Sequence, residues 1–396
     1  MMHQKLWPGR LPHSPRTERI IESTPADNLP LDRRSAAESP RVWTLLGAKS
    51  GDNNQVIALA ESLGYGWIEK RFSYIPLELV PNRLLGVTLK GVKNRDDVDL
   101  SPPWPDLVIS AGRRNEPIAR WIKKMAGANC KLVHMGRPWA HPKFFDLIIT
   151  TPQYDLGSAP NILHNKLPLH RVNIARLEEA KSEWTSKLEH LPRPWTAVLV
   201  GGNSSTVRFT APSLVYLAQE ANRIASTDGG SLLITTSART PVGTMSLLKN
   251  HLEVPSYLHD FAPNDVANPY HAFLALADRF IVTGESISML TESCFTGKPV
   301  HVFDPAHPNH QGDTDHPLSD SIEMTRPGRA WGTWLRDHLG PKRLRRDITQ
   351  IHKNLSSEKR ILWLGESEAD WAGSPVSSDL ESATERTRAL IKQSGQ

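Results

Sequence analysis

The chain has 396 residues, a net charge of +5, 39% apolar and 22% charged residues, 31 prolines and two cysteines. That length suits two domains of about 150 residues each rather than one core, and a charge this small and dispersed favours anionic small molecules over nucleic acid. Cys130 and Cys294 stand far apart without CxxC or Cys/His spacing, so neither a disulfide framework nor a structural zinc is indicated, and no run reaches the ~18–20 apolar residues of a membrane span.

Residues 1–40 mix six prolines with six basic and five acidic residues, have no continuous apolar core, and read as a disordered leader. Residues 42–46 then form a short strand ended by Gly47. The segment Gly47-Ala-Lys-Ser-Gly51-Asp52-Asn53-Asn54-Gln55 follows, and Val56, Leu59, Ala60 and Leu63 recur at helical spacing before 67–72 returns to strand character. Asp52 is either the N-cap of that helix or a general base at a strand end, and Lys49 can hold an acceptor's negative charge.

The same βαβ grammar repeats. A strand at 107–109 leads into Ser110-Ala-Gly112-Arg113-Arg114-Asn115, a helix runs from about 116 to 126, a strand at 131–134 leads into His134-Met-Gly136-Arg137-Pro138, and 147–149 is a further strand. Arg113, Arg114, Arg120, Lys123, Lys124 and Lys131 form a solvated basic face or an anionic-membrane contact. Residues 174–190 read as one exposed amphipathic helix, and Pro192-Arg193-Pro194 after it marks a junction, giving domains over 41–190 and 191–372.

The second half restarts with a strand at 197–200, the turn Gly201-Gly202-Asn203-Ser204-Ser205, a helix carrying Leu214, Leu217, Ala221 and Ile224, and a strand at 232–235. Arg239 follows that strand and can neutralise a diphosphate or simply face solvent. A helix at 268–277, a strand at 279–282, a helix at 286–296 ended by Gly297, and a strand at 300–303 close the domain. The tail over 373–396 is polar and has room for one terminal helix.

The strongest local signal is Thr283-Gly284-Glu285-Ser286-Ile-Ser288. A buried strand ends there, Gly284 permits a tight turn, and Ser286 is a natural N-cap, so the next amides point at whatever lies before the helix and favour an anion. Ser286 and Ser288 can bond phosphate oxygens, and Glu292 can accept from ribose hydroxyls; the alternative is a plainly capped helix whose serines bond only the backbone. Gly201, Gly202 and Asn203 form a second phosphate-friendly turn, which faces the interdomain cleft because ligands of open α/β sheets bind beyond the carboxyl ends of strands. The run Asp304 to His316 is rich in possible ligands but matches no zinc motif and reads as a polar loop, so no metal is expected. There is no Walker loop, GxSxG, HExxH or kinase signature, and no GxGxxG with a Tyr-x-x-x-Lys pair to suggest a sugar-nucleotide epimerase.

These segments, and above all Val282-Thr-Gly-Glu-Ser-Ile-Ser-Met-Leu-Thr-Glu292 through Gly297-Lys-Pro-Val, resemble the mitochondrial fission family of the elongated-mitochondria type over about residues 41–345. The resemblance implies an α/β protein with a GT-B-like fold, two Rossmann-like βαβ domains facing a central cleft. It implies a nucleotide-diphosphate sugar held mainly by the second domain: Ser286 and Ser288 at the diphosphate with Gly284 in the turn, Glu292 at the ribose, Gly201 to Asn203 at the phosphate or sugar, and Asp52 on the acceptor side. Glu285 stands where an uncharged or shorter residue would crowd phosphate less. The activity so implied is metal-independent sugar transfer to a hydroxyl acceptor, needing no further cofactor, in a cytoplasmic protein that is soluble or peripheral to a membrane. The plant members imply the alternative of a non-catalytic adaptor that recruits a dynamin-related fission protein or a membrane partner.

Overall fold

The computed structural model describes residues 20–21, 39–75, 86–204, 207–263, 265–305, 346–371 and 373–392. The expected leader, apart from 20–21 and 39–40, lies outside the described residues, as does the histidine- and aspartate-rich stretch 306–316. Among the described residues no three His, Cys, Asp or Glu side chains form a metal-sized cluster, and no helix is long and apolar enough to cross a membrane.

The first unit contains β1 (Ile20–Ile21), β2 (Val42–Leu46), α1 (Ser50–Leu63), β3 (Trp67–Arg71), β4 (Leu107–Ala111), α2 (Asn115–Ala126), β5 (Lys131–Met135), β6 (Leu147–Thr150) and β7 (Ile162–His164). The second contains α3 (Ile174–Leu188), β8 (Trp195–Leu199), α4 (Ala211–Thr227), β9 (Ser231–Thr235), α5 (Thr244–Lys249), β10 (Ser256–His259), α6 (Tyr270–Leu276), β11 (Arg279–Thr283), α7 (Ile287–Phe295), β12 (Val300–Phe303), α8 (Thr349–Ser357) and β13 (Leu362–Trp363). A last helix, α9 (Leu380–Lys392), ends the described chain.

The sheets run β1-β3-β2-β4-β5-β6-β7 and β10-β9-β8-β11-β12-β13, parallel throughout except for β1, which pairs antiparallel with β3 at the edge. Strands β2, β4, β8 and β9 are buried along their whole length, which is why they read as mostly apolar runs, broken only by Ser or Thr, rather than alternating ones. Successive residues feed opposite faces: Trp195, Ala197 and Leu199 enter one core of the second sheet, Val198 and Val200 the other. In both sheets the chain leaves the first strand in one direction and later returns to its other side, so the order reverses between β2 and β4 and between β8 and β11. Such reversals leave a crevice at the carboxyl ends of the strands.

Two tandem parallel α/β units are the layout expected of a GT-B-like protein. Their boundary differs from the one read at 190. Trp184 and Leu188 of α3 pack in one core with Trp195 and Phe273, and α3 lies along α6, so this helix belongs to the second unit. The crossing occurs earlier: Leu167 is buried in the second core and Leu169 in the first. The chain also crosses back, since Val376 packs in the second core and Ala383 of α9 in the first. Asp379 staples the two crossings by accepting from the amides of Lys166 and Leu167 at 2.7 and 3.2 Å. The described part of the polar tail, 373–392, therefore ends in a docking helix, Leu380–Lys392.

Candidate functional site

At the second reversal, β8 leads through Val200 into Gly201-Gly202, and β11 ends in Thr283. The Gly201 amide donates to Thr283 Oγ1 and the Gly202 amide to Glu285 Oε1, both at 2.8 Å. A Cβ on Gly201 would collide with Glu285 Oε1, and one on Gly202 with the backbone carbonyl of Arg239, so this close approach requires glycine at both positions. The two amides expected to face a phosphate are thus already engaged by side chains of the β11 turn. Asn203 is also committed, its Oδ1 accepting from the Phe209 amide at 3.0 Å and its own amide donating to the Arg239 carbonyl at 3.2 Å. The Arg239 side chain is exposed beside this turn.

Glu285 does not project over the helix start. It is 4% exposed, wedged between the Gly201 turn and Ser286, and its second oxygen, Oε2, is buried with no hydrogen-bond partner among the described residues. Burial pushes its carboxyl up from 4.5 to about 7, against the Gly202 amide, the Arg239 charge, its own amide and the Thr283 hydroxyl, all of which favour the ionised form.

Helix α7 begins at Ser286 as expected, but the Ser286 hydroxyl makes no capping bond, and the first in-helix bond runs from the Leu290 amide to the Ser286 carbonyl at 3.0 Å. Among the described residues the amides of Ile287, Ser288 and Met289 therefore have no intrahelical acceptor. Behind them His352 Nε2 bonds the Gly284 carbonyl at 2.9 Å; burial lowers this imidazole to about 4, which keeps it neutral.

Helix α1 repeats the pattern at the first reversal. Its N-cap is Lys49 rather than Asp52, no side chain caps it, and Asn53 instead pins the preceding turn through Gly47, bonding both its amide and its carbonyl at 2.8 Å. Asp52 lies within the first helical turn and leans on the neighbouring strand end, where a Cβ on Gly112, itself at φ +78°, would lie 2.6 Å from Asp52 Oδ2. Tyr74 fills the space left by Gly47 and donates to Asn115 Oδ1, while Asn115 Nδ2 reaches the carbonyls of Leu45 at 2.9 Å and Ala111 at 3.2 Å, tying β2 to β4.

The two helix starts meet. A Cβ on Gly51 would lie 3.0 Å from Ser288 Oγ, so the first turn of α1 touches the first turn of α7 across the cleft. Gly284 faces Val302 and His352, whereas Gly51, and Asp52 next to it, lie beside Ser288 in the first turn of α7. The positive ends of two helix dipoles converge there, a setting that stabilises an anion. Tyr154 abuts Gly136 near this junction, and its phenol, raised by burial, also feels the charges of Arg346, Asp52 and Arg137. Arg346 donates to Gln153 at 2.9 Å, tying the second unit to the first.

Glu292 lies one and a half turns into α7, 6% exposed, with Oε2 accepting from the Tyr270 hydroxyl. Burial raises its carboxyl to about 7, with the tyrosine bond opposing. Tyr74, Tyr154, Arg346 and His352 escaped the sequence reading. Their positions depend on space left by distant glycines or on the return of the chain after the second domain, and neither leaves a local motif.

A model of the family described as Mitochondrial fission ELM1 matches residues 50–316. An uncharacterized protein of Rickettsia prowazekii (strain Madrid E) is 28% identical over 303 residues, covering 68% of this chain and 84% of that one. The Arabidopsis thaliana mitochondrial fission protein ELM1 is 28% identical over 247 residues, 57% of either chain. Among solved structures, a UDP-GlcNAc 2-epimerase from Neisseria meningitidis bound to UDP-GlcNAc aligns over 89% of this chain and 99% of its own with a TM-score of 0.44 at 9% identity. Acinetobacter baumannii MurG aligns over 90% and 93% with a TM-score of 0.39 at 11% identity.

Proposed function

Because the chain belongs to the mitochondrial fission ELM1 family, its activity must be sought in a site built on that family's sequence core, and we propose that this site binds a nucleotide-diphosphate sugar and transfers the sugar to a hydroxyl acceptor. The observation that carries this reading is the contact of two uncapped helix starts at Gly51 and Ser288. The amides and hydroxyls of Ser286 and Ser288 hold the diphosphate, Arg239 offsets its charge, Glu292 receives the ribose hydroxyls, and Gly201, Gly202 and Asn203 shape the floor. Asp52 takes the proton from the acceptor hydroxyl as its oxygen bonds the anomeric carbon. The bond from that carbon to the diphosphate breaks with its electron pair, and the leaving charge falls on the helix starts without a metal. The protein acts in the cytoplasm on this reading.

Calorimetric titration with UDP, GDP and ADP tests it: saturable binding of one of them supports the reading, and no heat with any at millimolar concentration rejects it. A second reading, a non-catalytic adaptor for a fission or membrane partner, is favoured by the way Glu285 and Tyr270 already occupy the Gly202 amide and Glu292. Under it, Asp52→Ala and Glu292→Ala leave cellular function intact.

A further inference from the structure

Glu285 is a buried acid that this mechanism does not use. Its Oε1 holds the Gly202 amide at 2.8 Å and lies 3.2 Å from Thr283 Oγ1, whereas Oε2 is enclosed without a partner among the described residues. The carboxyl is buried at the end of β11, beside the point where the strand order reverses and one residue before Ser286, the N-cap of α7. A buried oxygen without a bond is costly, and the missing partner is an acceptor if the oxygen carries a proton.

We propose that Glu285 gates the diphosphate seat by its protonation state: the neutral acid donates Oε2–H to a phosphate oxygen of the ligand, and the carboxylate repels that oxygen. This rests on the reading of the cleft as a diphosphate seat. Burial holds the proton on Glu285 against the groups that touch it. Arg239, on the loop after β9, is the cation whose charge reaches it. His352, on α8, is neutral and engaged with the Gly284 carbonyl. On α7 itself Glu292 is turned to Tyr270, and across the seam the Asp52 carboxylate leans on Gly112. Desolvation keeps the proton on Glu285 up to about pH 7, so the gate operates near neutrality.

The test is calorimetry with UDP, GDP and ADP from about pH 6 to about pH 8.5 on the wild type and on Glu285→Gln, whose amide keeps an acceptor for Gly202 and supplies a permanent donor. Wild-type affinity is expected to fall roughly thirtyfold more than that of the variant over this range, the ratio of acid-form populations at its ends; the shared fall reports the ligand's own phosphate. Parallel profiles overturn the gate and leave the diphosphate seat standing, whereas absence of binding at every pH overturns both. Should Glu285→Gln fail to fold, wild-type calorimetry near pH 8 in two buffers of different ionisation enthalpy decides: proton uptake on binding supports the gate, and zero uptake rejects it.

Discussion

Gly51 and Ser288, from the first turns of helices in different domains, are close enough that a Cβ on the glycine would come within 3.0 Å of the serine hydroxyl. Neither helix start is capped by a side chain, so both direct bare amides into the seam. Filling the seam should therefore harm the ligand more than the fold. Gly51→Leu is expected to weaken nucleoside diphosphate binding by tenfold or more, roughly the loss of one or two charge-assisted bonds, with thermal unfolding within a few degrees of wild type. An unchanged affinity would place the anion elsewhere.

The Gly201 turn makes a sharper steric claim. A Cβ there meets the movable end of Glu285, whereas a Cβ on Gly202 meets the Arg239 backbone. Gly202→Ala should cost more stability than Gly201→Ala, with both in the range of about 1–3 kcal/mol typical of overpacking. Chemical denaturation reads this, and Glu285→Ala should recover part of the loss for Gly201→Ala only. Equal recovery in both backgrounds would show that the Glu285 carboxyl is not what Gly201 accommodates.

Two buried carboxyls give the fold a pH signature. Glu285 and Glu292 keep their protons to about pH 7 in the folded chain but lose them near 4.5 when it unfolds. Between those values the folded state binds more protons, so each contribution is complete below about 4.5 and is lost as pH rises through 7. Buried His134, His170 and His352, lowered to about 3, 4 and 4, act oppositely: their stabilisation is present above 6.5 and is lost as pH falls toward those values. The raw profile mixes the two, but the difference between wild type and Glu292→Gln does not. Across pH 4.5–7 wild type should lose on the order of 2–3 kcal/mol more than the variant. A flat difference would mean that Glu292 is ionised in the folded protein.

Asp52 carries the chemical half of the proposal. Asp52→Asn should lower sugar transfer by about a hundredfold or more, the usual contribution of a positioned base, while nucleotide affinity stays within about threefold because the diphosphate contacts are unchanged. Loss of both together would make Asp52 a binding residue instead.

Much of this architecture is legible in the sequence because parallel strands buried on both faces leave mostly apolar, non-alternating runs, as at Val42–Leu46 and 280–282. The Ser286 helix and its ending at Gly297, φ +73°, are legible for the same local reasons. The domain boundary is not: Pro192-Arg193-Pro194 looks like a junction, yet α3 presents only Trp184 and Leu188 as buried residues, too few to announce that it joins the second core. Short edge strands such as β10 and β13 carry little pattern, and Ser256–His259 is only half-buried. In the site, the residue types are legible and their commitments are not. Whether Glu285 crowds a phosphate or turns back onto the Gly202 amide is decided by Gly201, a strand away, and no local spacing encodes that contact.

A crystal structure of the protein grown with UDP, GDP or ADP tests the seat most directly. The diphosphate is expected beside Gly51 at the first turn of α7, within hydrogen-bond distance of the Ile287, Ser288 and Met289 amides and of the Ser286 hydroxyl. A nucleotide bound away from that seam, with the first turns of α1 and α7 still in contact, would contradict it.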